Sequence, residues 1–88
     1  MKKCDVIIPV YNAPEWVKLC VYAVIKNTSK DCLNKIYLLD DNSNEYTVNC
    51  LNNLKNKYKD IIVVSRNEKN LGFVKNCNKG IKLSMDDN

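Results

Sequence analysis

Cys4 to Asn12 reads CDVIIPVYN, and this stretch decides the architecture. Apart from Asp5, Cys4 to Val10 is apolar and rich in β-branched side chains, which suit extended backbone. A continuous apolar run, rather than an alternating one, describes a strand buried on both faces, as in a parallel sheet covered by helices. Tyr11-Asn12-Ala13-Pro14 breaks the run. Pro14 suits the first turn of a helix, where its missing N–H has no partner to lose, and Glu15 is well placed against the positive end of the helix dipole.

Working outward, the pattern repeats. Val17, Cys20, Val21 and Val24 recur at helical spacing, and residues 27–34 are polar and turn-like. Lys35 to Leu39 (KIYLL) is a second short strand, ended by Asp40-Asp41-Asn42-Ser43-Asn44. A second helix follows, with Val48, Leu51, Leu54 and Tyr58 on one face and Ser43 or Asn44 as its cap. Asp60 to Ser65 (DIIVVS) is a third strand, and a polar loop from Arg66 to Gly72 leads to a third helix. The apolar stripe predicted for that helix is Val74, Cys77, Ile81 and Met85. The order βαβαβα with short connections predicts a three-layer α/β/α domain over residues 1–88, built on a short parallel sheet with right-handed crossovers.

The composition agrees. The 88 residues are 45% apolar and 27% charged, which is globular rather than disordered. The net charge of +4 comes from lysines scattered along the chain. No basic block is interleaved with aromatics, so a solvated surface is expected and no nucleic-acid partner. Five cysteines occur with no Cys-x-x-Cys and no histidine, which argues against a zinc site. Free thiols within helical patterns behave as small apolar residues and suit a reducing compartment. Pro9 interrupts the longest apolar stretch, and the basic start Met1-Lys2-Lys3 is followed by too short a run for a signal peptide. The expectation is a soluble, cytoplasmic chain.

In an open parallel α/β sheet, ligands bind beyond the carboxyl ends of the strands. Three clusters fall there: Pro9, Val10, Tyr11 and Asn12; Asp40, Asp41, Asn42 and Ser43; and Ser65, Arg66, Asn67 and Asn70. The glycines are Gly72 and Gly80 alone. No glycine-rich loop follows the first strand, which excludes a dinucleotide fingerprint and a P-loop. A nucleotide held here would be gripped through its base and ribose by side chains. Tyr11 can stack on a base, and one of the paired aspartates can accept from a ring N–H.

Residues 5–12 (DVIIPVYN), 37–43 (YLLDDNS) and 67–80 (NEKNLGFVKNCNKG), in this order, resemble the opening of family 2 glycosyltransferases of the GT-A fold. In that family a proline-valine-tyrosine-asparagine turn ends the first strand and an aspartate pair ends the second. An asparagine-leucine-glycine-phenylalanine segment opens the third helix, which carries an asparagine ahead of its Gly-Ile. The resemblance implies a Rossmann-like half of a GT-A fold, truncated. It implies the N-terminal part of an inverting enzyme that binds a nucleotide-diphosphate sugar, UDP-linked, for transfer to an acceptor hydroxyl. By the same likeness Tyr11 flanks the nucleobase, with Pro9, Val10 and Asn12 around it. Asp41 accepts the base N–H, Asp40 supports the loop, and Asn70 and Lys75 lie near the ribose or phosphates. A divalent metal, Mg or Mn, is implied as cofactor, but its Asp-x-Asp ligands would follow Asn88, and the general base lies further on. The fragment is therefore expected to be inactive by itself. Membrane-surface or polysaccharide-pathway partners stay open.

Other readings stand beside this one. A non-catalytic uridine-nucleotide-binding module would use the same three clusters. A phospho-receiver would need its acid pair after the first strand and an aspartate after the third, where Pro9 and Ser65 stand. Asp86-Asp87 reads as a polar chain end, Arg66 as an exposed loop charge, and Trp16 as a core or surface-covering aromatic. Gly72 reads as a turn residue with positive φ. The expected strand order is 3-2-1, which leaves Val6 to Val10 as an apolar edge open to self-association.

Overall fold

The computed structural model describes residues 3–87; Met1, Lys2 and Asn88, part of the basic start and polar end read from the sequence, lie outside the described residues. Three strands alternate with three helices: β1 (Cys4–Val10), α1 (Pro14–Asn27), β2 (Leu33–Asp40), α2 (Glu45–Lys57), β3 (Ile62–Arg66) and α3 (Phe73–Asp87). The strands pair in parallel in the order β1-β2-β3, an open Rossmann-like arrangement as the sequence predicts.

Alternation along the strands divides the core. Val6, Ile8, Val10, Ile36, Leu38 and Ile62 join Val17 and Val21 of α1 and Leu51 and Leu54 of α2 in one apolar cluster. The opposite face carries Ile7 and Leu39, and α3 lies against them at Gly80. One side of the sheet thus has two helices and the other has one. The register is irregular between Cys4 and Val6. There the Asp5 carboxylate accepts from the Asn34 side chain at 2.9 Å and the Lys35 backbone N–H at 3.1 Å, tying the start of β1 to β2.

Local sequence explains the helix starts. Asn44 caps α2, its Oδ1 accepting the Thr47 N–H at 2.9 Å. Pro14 opens α1 behind Ala13, whose φ of 53° is left-handed. Gly72, with φ of 87°, makes the turn into α3 as expected.

The predicted stripe of α3 needs correction. Val74, Ile81 and Met85 are exposed, Cys77 is half-buried, and the helix instead buries Asn76 and Gly80. Gly80 lets the helix backbone come close to Leu39 and Ile7, and Asn76 is satisfied by hydrogen bonds, so a polar and a small residue make the contact. Trp16 is exposed on α1 and so is not a core residue. β1 is an edge strand whose Val6 to Pro9 are half-buried. Among the described residues no helix is long and apolar enough to cross a membrane.

Candidate functional site

The parallel register places Val10, Asp40 and Arg66 side by side at the carboxyl ends of the strands. The backbone keeps pairing one step further: Asp41 N donates to Val10 O and Asn67 N to Asp40 O, both at 2.8 Å. Tyr11, Asp41 and Asn67 therefore leave the sheet together, on one edge.

Asp40 and Asp41 point to different work. The Asp40 side chain is 1% exposed. Its Oδ1 accepts the Ser43 N–H at 2.8 Å and its Oδ2 pairs with Arg66 Nη1 at 2.5 Å. The Arg66 guanidinium also donates to Asn42 Oδ1 and the Ser43 carbonyl. Arg66 is thus not a free loop charge: it clamps the turn after β2. Asn12 completes the clamp from β1. Its N–H donates to Ser43 Oγ at 2.8 Å, and its Oδ1 accepts the Asn44 N–H at 2.9 Å.

Asp41 is 3% exposed. Its Oδ1 accepts from Asn67 Nδ2 at 2.8 Å and from the Leu71 N–H at 2.7 Å, and its Oδ2 accepts the Gly72 N–H at 2.9 Å. Burial pushes its carboxyl up, but the Leu71 amide, the Asn67 side chain, the Gly72 amide and the Lys79 charge together hold it below the ordinary carboxylate value. The carboxylate stays ionised and anchors the loop between β3 and α3. Asn70 closes that loop, its Oδ1 accepting the Gly72 N–H at 3.0 Å and its Nδ2 donating to Asp41 O at 3.4 Å.

A pocket of about 280 Å³ lies beside this loop, lined by Pro9, Val10, Tyr11, Asp41, Asn70, Gly72, Phe73 and Asn76. It falls below the roughly 300–1,000 Å³ of a complete small-molecule site, so it suits part of a ligand rather than the whole. Tyr11 and Phe73 are both exposed and supply aromatic surface, and Asp41 supplies acceptor oxygen. Of the residues picked out from sequence, Pro9, Val10, Tyr11, Asp41 and Asn70 meet here. Asn12 and Asp40 sit behind the rim in the clamp, and Lys75 is exposed on α3 and does not line the pocket. The cations flanking the far side of the loop are Arg66, Lys69 and Lys79, which line a separate groove.

The sequence places Asn67 in the third strand-end cluster without a specific role, and it gives none to Phe73 or Asn76. Asn67 does follow β3 directly, a position that carries chemistry in such sheets. Asn76 and Gly80 are four residues apart and so share one face of the helix, the face that packs on Leu39 and Ile7 at Gly80.

The rim does not fit a divalent metal. Among the described residues no three His, Cys, Asp or Glu side chains gather as a ligand set. Asp40 and Asp41 are already committed to Arg66, Ser43 and the loop amides. Asp87 accepts from the Tyr37 hydroxyl at 2.8 Å, near the amino ends of the strands and away from the pocket.

A parallel α/β unit with a side-chain-lined pocket at its strand ends has the layout in which open α/β sheets place their ligands. The family "Glycosyl transferase family 2" matches residues 5–87, and the chain belongs to that family. A poly(ribitol-phosphate) beta-glucosyltransferase from Bacillus spizizenii is 28% identical over 82 residues. The match covers 93% of this chain and 13% of that relative's length.

Proposed function

We propose that this chain supplies the donor-nucleotide contact of a glycosyltransferase, with the base of a UDP-linked sugar in the pocket beside Tyr11. The observation that carries the reading is the meeting of Tyr11, Asp41 and Asn70 around one pocket at the strand ends. The Tyr11 ring offers a stacking face, and Asp41 Oδ2, which accepts a single hydrogen bond, from the Gly72 N–H, keeps acceptor capacity for a ring N–H donor such as that of uracil. In glycosyl transfer the acceptor hydroxyl forms a bond to the anomeric carbon as the bond to the diphosphate breaks. That reaction needs a group to take the hydroxyl proton. Asp40 is held by Arg66 and Ser43, and Asp41 is an ionised acceptor held by the loop, so proton removal and diphosphate neutralisation fall to other groups. The chain by itself is expected to bind nucleotide without transferring sugar.

The test is calorimetric titration with UDP. Tyr11 is 59% exposed, so Tyr11→Ala removes a stacking surface with little effect on packing. Affinity should fall about 5- to 150-fold, the range of one base–aromatic stack, and Asp41→Ala should weaken binding as well. Equal affinity in Tyr11→Ala, or no binding by the parent chain at millimolar UDP, would remove this reading.

The same proposal takes in self-association. β1 presents an open edge, and Phe73, Val74, Ile81 and Met85 add exposed apolar surface. Sedimentation velocity should show mass rising with concentration; a constant monomer would count against it.

A further inference from the structure

Behind the pocket wall lies a network of polar side chains that links Asn76, which lines the pocket, to Asn67 and Lys79, which line the groove on the far side of the loop. Asn67 is 3% exposed and Asn76 is 1% exposed. Asn67 Nδ2 donates to both Asp41 Oδ1, at 2.8 Å, and Asn76 Oδ1, at 2.9 Å. Asn76 Nδ2 donates to the Leu39 carbonyl at 2.9 Å, and Lys79 Nζ donates to Asn67 Oδ1 at 2.5 Å. Every acceptor and donor has a defined direction, and no buried side-chain nitrogen or oxygen among the described residues lacks a partner.

The directions are fixed by elimination. Lys79 can only donate, which makes Asn67 present its oxygen to Lys79 and its two N–H groups to Asp41 and Asn76. The Leu39 carbonyl can only accept, which turns the Asn76 amide the same way. The chain Lys79, Asn67, Asp41 therefore runs from a cation to an anion through one oriented amide. Its far end is the pair of loop N–H groups on Leu71 and Gly72, and Gly72 lines the pocket.

We propose that Asn67 and Asn76 form a positioning relay, oriented by Lys79 and the Leu39 carbonyl, that holds the Asp41 carboxylate and the Leu71–Gly72 turn in one geometry before any nucleotide arrives. The relay rests on the nucleotide reading only for what it serves; the pre-ordering is a property of the chain. A ligand then meets a wall that needs no rearrangement, and affinity gains because no loop is ordered on binding. Disturbing Asn67 acts on the ligand through Asp41 rather than by direct contact.

Asn67→Asp in the full chain tests this, since it keeps the shape and removes the donors. The charged groups around position 67 are Asp41 from the end of β2, Lys79 from α3, and Arg66 at the end of β3, the last already paired with Asp40. Glu68 and Lys69 follow it in the exposed loop. At pH 8 the new carboxylate repels Asp41. On acidification below about pH 4, a proton shared by the two carboxyls restores a hydrogen bond between the two oxygens. Two readouts are taken in both conditions: protection factors of the Leu71 and Gly72 amides by hydrogen-exchange NMR, and UDP affinity by calorimetry. At pH 8 both should fall roughly tenfold or more, the worth of one charge-assisted hydrogen bond. Below about pH 4 both should return toward those of the parent at the same pH. Parent-like amide protection at pH 8, or a loss that pH does not reverse, would overturn the relay. If the variant does not fold, Lys79→Met on the half-exposed flank gives the same amide readout, and unchanged protection there overturns it equally. The amide arm decides the relay even if the parent chain fails to bind UDP, an outcome that would sink the nucleotide reading alone.

Discussion

Gly80 lies so close to Leu39 that an added Cβ would overlap Leu39 Cδ1 and stand 2.8 Å from Ile7 Cγ2. This contact seats α3 on β1 and β2, and α3 carries the pocket loop at its start. Two effects compete in Gly80→Ala. Alanine gains about 1 kcal/mol of helix propensity over glycine, whereas overpacking a filled interior costs about 1–3 kcal/mol. Leu39 is buried and has little room to swing away, so overpacking wins. Urea unfolding should show a net loss of roughly 1 kcal/mol, where a surface glycine in a helix would show a gain.

That contact also shows where the sequence was readable. The strands were legible because runs such as VIIPV and DIIVVS have no helical period, and their lengths fit a short parallel sheet. Helix α2 was legible for the opposite reason: Leu51 and Leu54 repeat at helical spacing, and both are buried. Helix α3 misled, because hydrophobicity alone points to Val74, Ile81 and Met85. The fold instead buries Asn76, which only a specific set of partners can satisfy, and Gly80, which contributes space rather than apolar area. The same limit applies to the rim. Position after a strand singled out Asp40 and Asp41, but which one faces the pocket depends on Arg66 and the Leu71–Gly72 amides, and these are 25 or more residues away in the chain.

Asp41 should leave a mark on acid stability. Its folded-state carboxyl sits below the ordinary 3.8: burial raises it, but the Leu71, Asn67 and Gly72 hydrogen bonds and Lys79 outweigh that. A depressed value means the ionised form favours the folded state. The stabilisation is therefore complete above the unfolded value and lost as pH falls through the lower folded one. Asp41→Asn should cost about 1–3 kcal/mol near neutral pH, since loop N–H groups lose acceptors. The gap between parent and variant should narrow on acidification below about pH 4. Chemical denaturation across that range measures it, and a gap independent of pH would contradict the assignment.

Tyr37 gives an independent check on how α3 docks. Its hydroxyl donates to Asp87 Oδ2 at 2.8 Å, and the ring is buried under the end of the helix. Burial, then the hydrogen bond to Asp87 and the nearby charges of Asp87 and Asp5, push the phenol up to about 12. A raised folded value means the neutral phenol is favoured, so this contribution holds below pH 10 and disappears as pH rises through about 12. Ultraviolet titration should find one tyrosine that resists ionisation up to about pH 12, and Tyr37→Phe should abolish that late step. The substitution should cost about 1 kcal/mol at neutral pH, the net value of one ordinary hydrogen bond.

The clamp behind the rim depends on Arg66 more than its partial exposure suggests. Asp40 is 1% exposed at its side chain and Arg66 is 44% exposed. A wholly exposed pair would contribute little, because water screens both charges. Here one partner is buried, and removing the other strands its carboxylate with the Ser43 N–H as its remaining bond. Arg66→Ala is expected to cost about 2 kcal/mol, between the exposed and fully buried limits. Arg66→Lys should recover only part of that. A lysine can follow the charge to Asp40, but it lacks the planar fork that also reaches Asn42 Oδ1 and the Ser43 carbonyl. Because the same turn carries Ser43 and Asn44, which hold Asn12, a loosened clamp should also free the Tyr11 segment. Denaturant midpoints for both variants, with amide exchange at Asn12 and Asn44, test this: full rescue by lysine would mean that charge alone, and not the fork, holds the turn.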